Sequence, residues 1–222
     1  MSKDWLAWHR PYDEAGSPLQ LRLAAVQAHI RRALGACPPG PIRVISMCAG
    51  QGRDLLEVLV DHPRRADVTA HLVELDERNV GRARTTVDGA GLTGVEVVRA
   101  DAASTSAYER LVQADLLLVC GVFGNITDAD IRTTVGALSS LCAPRATVIW
   151  TRYPRDPDLL PSVDGWFRNA GFELVSLETG ADGRQFGVGV HRLTALPRPY
   201  RPGVRLFTFL EDPDPTGTRR SN

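Results

Sequence analysis

The sequence predicts an α/β fold: a doubly wound, seven-stranded sheet, mostly parallel, with an antiparallel final strand. Three observations predict it. Short apolar runs alternate with amphipathic segments along most of the chain. The apolar runs are continuous rather than alternating, as expected of strands covered on both faces. The last two runs are joined by a segment too short for a crossover helix, which calls for antiparallel pairing.

The elements follow in order. Ser17 is placed to cap a helix with Pro18 at its first position. Leu19, Leu23, Val26, Ile30 and Leu34 then recur at spacings of three and four, one apolar stripe on a helix. Gly35 and the run Cys-Pro-Pro-Gly-Pro from Cys37 end it. Ile42–Met47 reads as a buried strand, 53–60 as a helix, 68–75 as a second strand and 77–87 as a second crossover helix. Val95–Arg99 is a third strand, with a short helix near Tyr108, and 115–120 is a fourth. Thr127 is placed to cap a helix running to about residue 141. A strand at 147–151, a helix at 163–169 ending before Gly171, and strands at 172–177 and 186–193 complete the sheet. This divides the chain into an N-terminal aromatic segment and helix (1–36), the α/β domain (37–195) and a C-terminal extension (196–222). The polar end, 211–222, is expected to be disordered.

Composition narrows the function classes. The chain has 222 residues, 43% of them hydrophobic, and a formal net charge of zero. That length suits one domain with modest additions. Neutrality argues against a nucleic-acid partner, because phosphate binding favours an excess of Lys and Arg. Cys37, Cys48, Cys120 and Cys142 form no CxxC pair and no Cys/His set at metal spacing, so no metal is expected. Free thiols suit a reducing compartment. The first residues lack the apolar stretch of a signal peptide, and no run of about 18 apolar residues could span a membrane. A cytoplasmic protein, monomer or homodimer, is expected.

Chemistry-bearing residues gather at the predicted strand ends. The first strand runs into Ser46-Met47-Cys48-Ala49-Gly50-Gln51-Gly52-Arg53-Asp54. Glycines at such a strand-to-helix bend let a ligand approach the backbone. In a doubly wound sheet the crevice beyond the strand C-termini is the expected site. The second strand ends Glu74-Leu75-Asp76. Glu74 offers two acceptor oxygens, enough for both hydroxyls of a ribose, while Asp76 is placed to cap the next helix. Asp101, after the third strand, can accept from a base amino group or cap the following turn, and Ala102 offers a backbone N–H.

Together these residues resemble the class I S-adenosylmethionine-dependent methyltransferases, whose fold is Rossmann-like. The likeness covers roughly residues 40–193. It implies cofactor contacts from Cys48, Ala49, Gly50, Gln51, Gly52 and Asp54 in the glycine-rich loop, and from Glu74 and Leu75 at the ribose acid. It extends to Asp101 and Ala102 at the adenine and to Cys120 and Gly121 after the fourth strand. S-adenosylmethionine is the implied cofactor and S-adenosylhomocysteine the product. The phrases CAGQGRD, VELD, CGVFGNI and VIWTR further resemble an actinobacterial-type group of methyltransferases. Two departures stand out. Ser46 occupies the place of a usual Asp or Glu, and Cys48 that of a usual Gly. Asp54 can stand in for the missing acid or favour the first helical turn. A nicotinamide site fits less well, because Gly50-Gln51-Gly52-Arg53-Asp54-Leu55 lacks the third glycine of the dinucleotide fingerprint.

Neutral charge, together with the absence of an Asn/Asp-Pro-Pro-Tyr/Phe motif and of a Pro-Cys pair, favours a small-molecule acceptor. His9, Tyr12 and Asn125 are the catalytic candidates. Asp13 reads as a turn residue and His191 as structural. Phe123, Arg152 and Tyr153, on the rim after the fourth and fifth strands, are the acceptor-binding candidates, with Trp5, Trp8 and Trp150 as further pocket walls. Two other outcomes use the same site: cyclisation of the cofactor with release of methylthioadenosine, and a cofactor-binding module without catalysis.

Overall fold

Strand β1 (Ile42–Met47) begins the sheet, and its neighbours explain why all but Arg43 of it is buried. It pairs in parallel with β2 (Val68–Glu74) on one side and with β4 (Ala114–Val119) on the other. Strand β3 (Val95–Arg99) lies outside β2. Beyond β4 come β5 (Cys142–Arg152), β7 (Gly187–Leu193) and β6 (Phe172–Glu178), giving the order β3-β2-β1-β4-β5-β7-β6. Strand β7 is antiparallel to both neighbours, as the short connection before it requires. These coordinates come from a computed structural model that describes residues 10–14, 16–153, 158–180 and 186–210.

Helices cover both faces. On one side lie α1 (Pro18–Ala36), α2 (Arg53–Asp61) and α3 (Glu77–Gly89). Val26, Ile30 and Leu34 of α1 join Leu55, Leu56 and Leu59 of α2 and Val80 and Ala83 of α3 against the sheet. On the other side lie α4 (Asp128–Leu138), α5 (Leu160–Asn169) and a 3-10 segment, Thr105–Leu111. Their core includes Tyr108, Ile131, Val135, Val163 and Phe167. Burying so much aliphatic surface on both faces is the main driving force for this arrangement.

Predicted caps are observed. Ser17 Oγ accepts from Gln20 N at 3.1 Å, and Thr127 Oγ1 accepts from Asp130 N at 3.1 Å. Thr127→Ala should lower stability by about 1 kcal/mol. That is a fall in Tm of about 2–4 °C in a thermal melt, with no change in ligand affinity.

Three boundaries differ from the sequence reading. Helix α4 stops at Leu138, where Ser139 caps it and a turn follows. Strand β5 starts at Cys142 rather than 147, with an irregularity in its pairing with β4 and Arg145 at φ 64°. A bulge hides the strand from pattern reading, because it breaks the regular run of apolar residues. Helix α5 starts at Leu160, where Asp158 Oδ1 accepts from Leu160 N at 3.0 Å and Pro161 occupies the first turn.

The largest difference is the C-terminal extension. Residues 203–210 return across the top of the sheet. Val204 O accepts from Thr105 N, Leu206 N donates to Ala103 O, and Leu210 N donates to Asn125 O. Leu206 and Phe207 are buried in the core. The segment thus bridges the loops after β3 and β4. The residues expected to be disordered, 211–222, lie outside the described residues.

Candidate functional site

Strand order reverses between β1 and β4, so the loops after these strands part and leave a crevice. The first loop is the glycine bend. Cys48 and Gly50 have φ of 50° and 56°, and Gly52 caps α2 at φ 72°. Gly50 and Gly52 serve different ends. Gly50 lines the cavity. Gly52 does not, and a Cβ there would meet Leu72 Cδ2 at 2.6 Å and Leu56 Cδ1 at 2.8 Å. The lack of a Cβ at Gly52 lets α2 leave the sheet closely.

Glu74 ties this bend to β2. Its Oε2 accepts from Gly50 N and its Oε1 from Asp76 N, both at 2.8 Å. The side chain is 8% exposed, and burial raises its pKa while those backbone N–H groups oppose the rise. Asp76 caps α3, as expected, by accepting from Arg78 N and Asn79 N.

A cavity of about 540 Å³ opens here. Cys48, Ala49, Gly50, Gln51, Asp54, Glu74, Leu75, Asp101, Ala102, Cys120 and Gly121 all line it, so the structure gathers eleven of the twelve expected cofactor residues around one space. Asp101 is more occupied than the sequence suggested. Its Oδ1 accepts from Ala103 N at 2.9 Å and its Oδ2 pairs with Arg205 at 2.5 Å.

Tyr12, Arg22, Asp54 and Cys120 form a polar group in the cavity wall. The Arg22 guanidinium donates to the Tyr12 hydroxyl. The Cys120 thiol and the Asp54 carboxylate are neighbours and influence each other's titration. Burial lifts the Asp54 pKa to about 6, against the pull of Leu55 N–H and Arg22. Burial likewise pushes the thiols of Cys48 and Cys120 well up, so both stay protonated and neither is a nucleophile. Burial also raises the Tyr12 phenol. Tyr12, a catalytic candidate, lines the cavity as a hydroxyl held by an arginine.

Several rim candidates sit elsewhere. Phe123 is fully buried and packs on Trp150 and Phe167 at centroid distances of 5.7 and 6.5 Å, so its ring cannot stack on a ligand. Asn125 Nδ2 donates to Gly121 O at 2.7 Å, which braces the loop after β4 rather than reaching the cavity. Arg152 donates to Phe123 O and lies 3.8 Å from Asp128, tied to the same loop. Tyr153 is 46% exposed and is not among the cavity walls. His9, Trp5 and Trp8 fall outside the described residues. His191 is structural: it accepts from Trp150 Nε1 at 3.0 Å, contacts Asp164 at 3.1 Å and is fully buried.

Other cavity walls were not anticipated from the sequence. Arg22, Leu23 and Val26 come from α1, Asn79 from α3, and Arg205, Phe207, Thr208 and Phe209 from the C-terminal segment. Arg22 had a signal, being a charge one residue from the apolar stripe. The C-terminal set had one in the apolar run Leu206, Phe207, Phe209 and Leu210. Among the described residues no helix is long and apolar enough to cross a membrane, and no His, Cys, Asp and Glu side chains cluster as a metal site.

Comparison with known proteins agrees with this geometry. A family model described as "Putative methyltransferase" matches residues 18–162. No curated protein sequence matches the chain. Among solved structures, an O-methyltransferase family protein from Burkholderia thailandensis superposes with a TM-score of 0.62 at 17% identity. The match covers 79% of this chain and 56% of that one, so this chain spans little more than half its length. The 1,6-didemethyltoxoflavin N1-methyltransferase of Burkholderia thailandensis gives 0.66 at 16% identity, covering 86% and 84%. Magnesium protoporphyrin IX methyltransferase from Synechocystis PCC 6803 gives 0.62 at 15% identity, covering 84% and 89%. The last two were solved with S-adenosylhomocysteine and S-adenosylmethionine bound, respectively. At these identities the likeness is one of fold.

Proposed function

The chain belongs to this methyltransferase family, and from that premise we propose that it transfers the methyl group of S-adenosylmethionine to a small-molecule acceptor. One observation carries the reading. Glu74 and the Gly50 bend are hydrogen-bonded to each other at the lip of the β1–β4 crevice, facing one cavity.

The residues present fit the cofactor. A cavity of about 540 Å³ lies within the usual range for small-ligand sites. Each oxygen of Glu74 takes one backbone N–H and keeps a lone pair for a ribose hydroxyl. Leu75 and Ala102 would flank the adenine. Asp54 would hold the methionine ammonium, taking the part of the acid missing at Ser46, and Arg22 would offer its charge to the carboxylate. When bound, S-adenosylmethionine supplies an electrophilic methyl group on a sulfonium. The protein holds the acceptor in line with it, and such positioning can supply much of the rate. Leu23, Val26, Phe207 and Phe209 give the cavity an apolar wall that excludes water and suits a compact, largely apolar acceptor.

Calorimetric titration of the full chain with S-adenosylmethionine tests the first half of this reading. Binding at micromolar concentration is expected, and no binding would remove it. Incubation with methyl-labelled cofactor and a protein-free metabolite extract tests the second half. Formation of S-adenosylhomocysteine supports transfer, whereas methylthioadenosine would point to cyclisation instead.

A further inference from the structure

Asn79 is the third residue of α3, and its backbone N–H is held by the Asp76 cap at 3.4 Å. The cap fixes this first turn beside β2. Asn79 is fully buried, and among the described residues neither its Oδ1 nor its Nδ2 has a hydrogen-bond partner. Buried polar groups are nearly always paired, so an orphaned side-chain amide points to a missing partner. Asn79 lines the same cavity as Gly50, Gln51 and Glu74.

The two side chains are chemically complementary. An ionised Glu74 only accepts, and its oxygens already hold Gly50 N–H and Asp76 N–H. A vicinal diol can give both hydroxyl hydrogens to that carboxylate, but its lone pairs then need a donor. The Asn79 amide donates through Nδ2 and accepts through Oδ1. We propose that Asn79 is a second ribose-binding residue, reading the cofactor's 2′,3′-diol together with Glu74. This rests on the reading of the cavity as a nucleoside site.

S-adenosylhomocysteine titrated into the wild type and Asn79→Leu tests the proposal, with thermal melts of both proteins free and loaded. The variant should bind about tenfold more weakly, through loss of hydrogen bonds to the diol. Its free form should melt about 2–4 °C higher, because an unpaired amide is gone. Its ligand-induced rise in Tm should shrink. Methylthioadenosine and its 2′-deoxy and 3′-deoxy analogues add a direct readout. The wild type should prefer the diol, and the variant should discriminate less. Asn79→Ala, which adds no bulk, repeats the test if the leucine disturbs α3. Equal affinity for S-adenosylhomocysteine with unchanged discrimination would overturn the role of Asn79 while leaving the nucleoside site intact. Failure of the wild type to bind any of these ligands would instead remove the underlying reading.

Discussion

Glu74→Ala should weaken S-adenosylmethionine binding by about 3 kcal/mol, on the order of a hundredfold or more, in a calorimetric titration. Two losses combine. The charge-assisted bonds to the ribose disappear, each worth roughly 1.5–3 kcal/mol. The bend also loses its anchor, because Gly50 N and Asp76 N no longer meet an acceptor. Leaving a buried N–H unpaired carries its own cost, so the bend should shift toward solvent and the cavity lose its shape. Glu74→Gln separates the two effects. It keeps one carbonyl oxygen for the bend but not the charge, and should fall between wild type and alanine. Unchanged affinity in Glu74→Ala would remove Glu74 from the site.

Asp54→Asn should have opposite effects on the free protein and on its complex. In the unfolded chain an aspartate titrates near 3.9, whereas burial places Asp54 at about 6. Between those values the folded protein binds more protons than the unfolded one. Stability from this group is therefore highest below about pH 4, falls as pH rises and levels off above about 6. The ionised carboxylate costs the free protein about 2–3 kcal/mol above that point. Asp54→Asn, which keeps an oxygen for Leu55 N, should melt higher than wild type at pH 8 and about the same at pH 4. Cofactor binding should run the other way. Wild-type affinity should rise as pH increases through 6, since only the carboxylate attracts an ammonium, and the variant should bind weakly without that rise. A flat wild-type profile would place the ammonium elsewhere.

The contrast between Glu74 and Phe123 shows what a sequence can reveal. Glu74 closes a seven-residue parallel strand, and β2 neighbours β1, so its place beside the glycine bend follows from local pattern and topology. The same logic placed Asp54, Leu75 and Asp101. Phe123 lies in a loop, where pattern gives position but no direction. Its ring turned inward because Trp150 and Phe167 offered it a dry contact. Arg152 met a carbonyl of that loop for the same reason: the partner is remote in sequence. Residues arriving from further away were harder still. Val26 read as core, which it is, but the helix that buries it also borders the cavity. Phe207 and Phe209 come from a segment whose docking depends on two loops about a hundred residues upstream or nearer. No periodicity marks such a stretch.

That return of 203–210 has a bearing on how the protein acquires its binding competence. Val204 meets Thr105 across 99 residues of chain, and Leu206 meets Thr134 across 72. Contacts at such separations close late, since the intervening chain must first lose its freedom. The wall bearing Phe207 and Phe209 therefore forms only once segments far apart in the chain have met. A fusion partner attached just past residue 210 would therefore sit beside a wall of the cavity rather than on a remote tail.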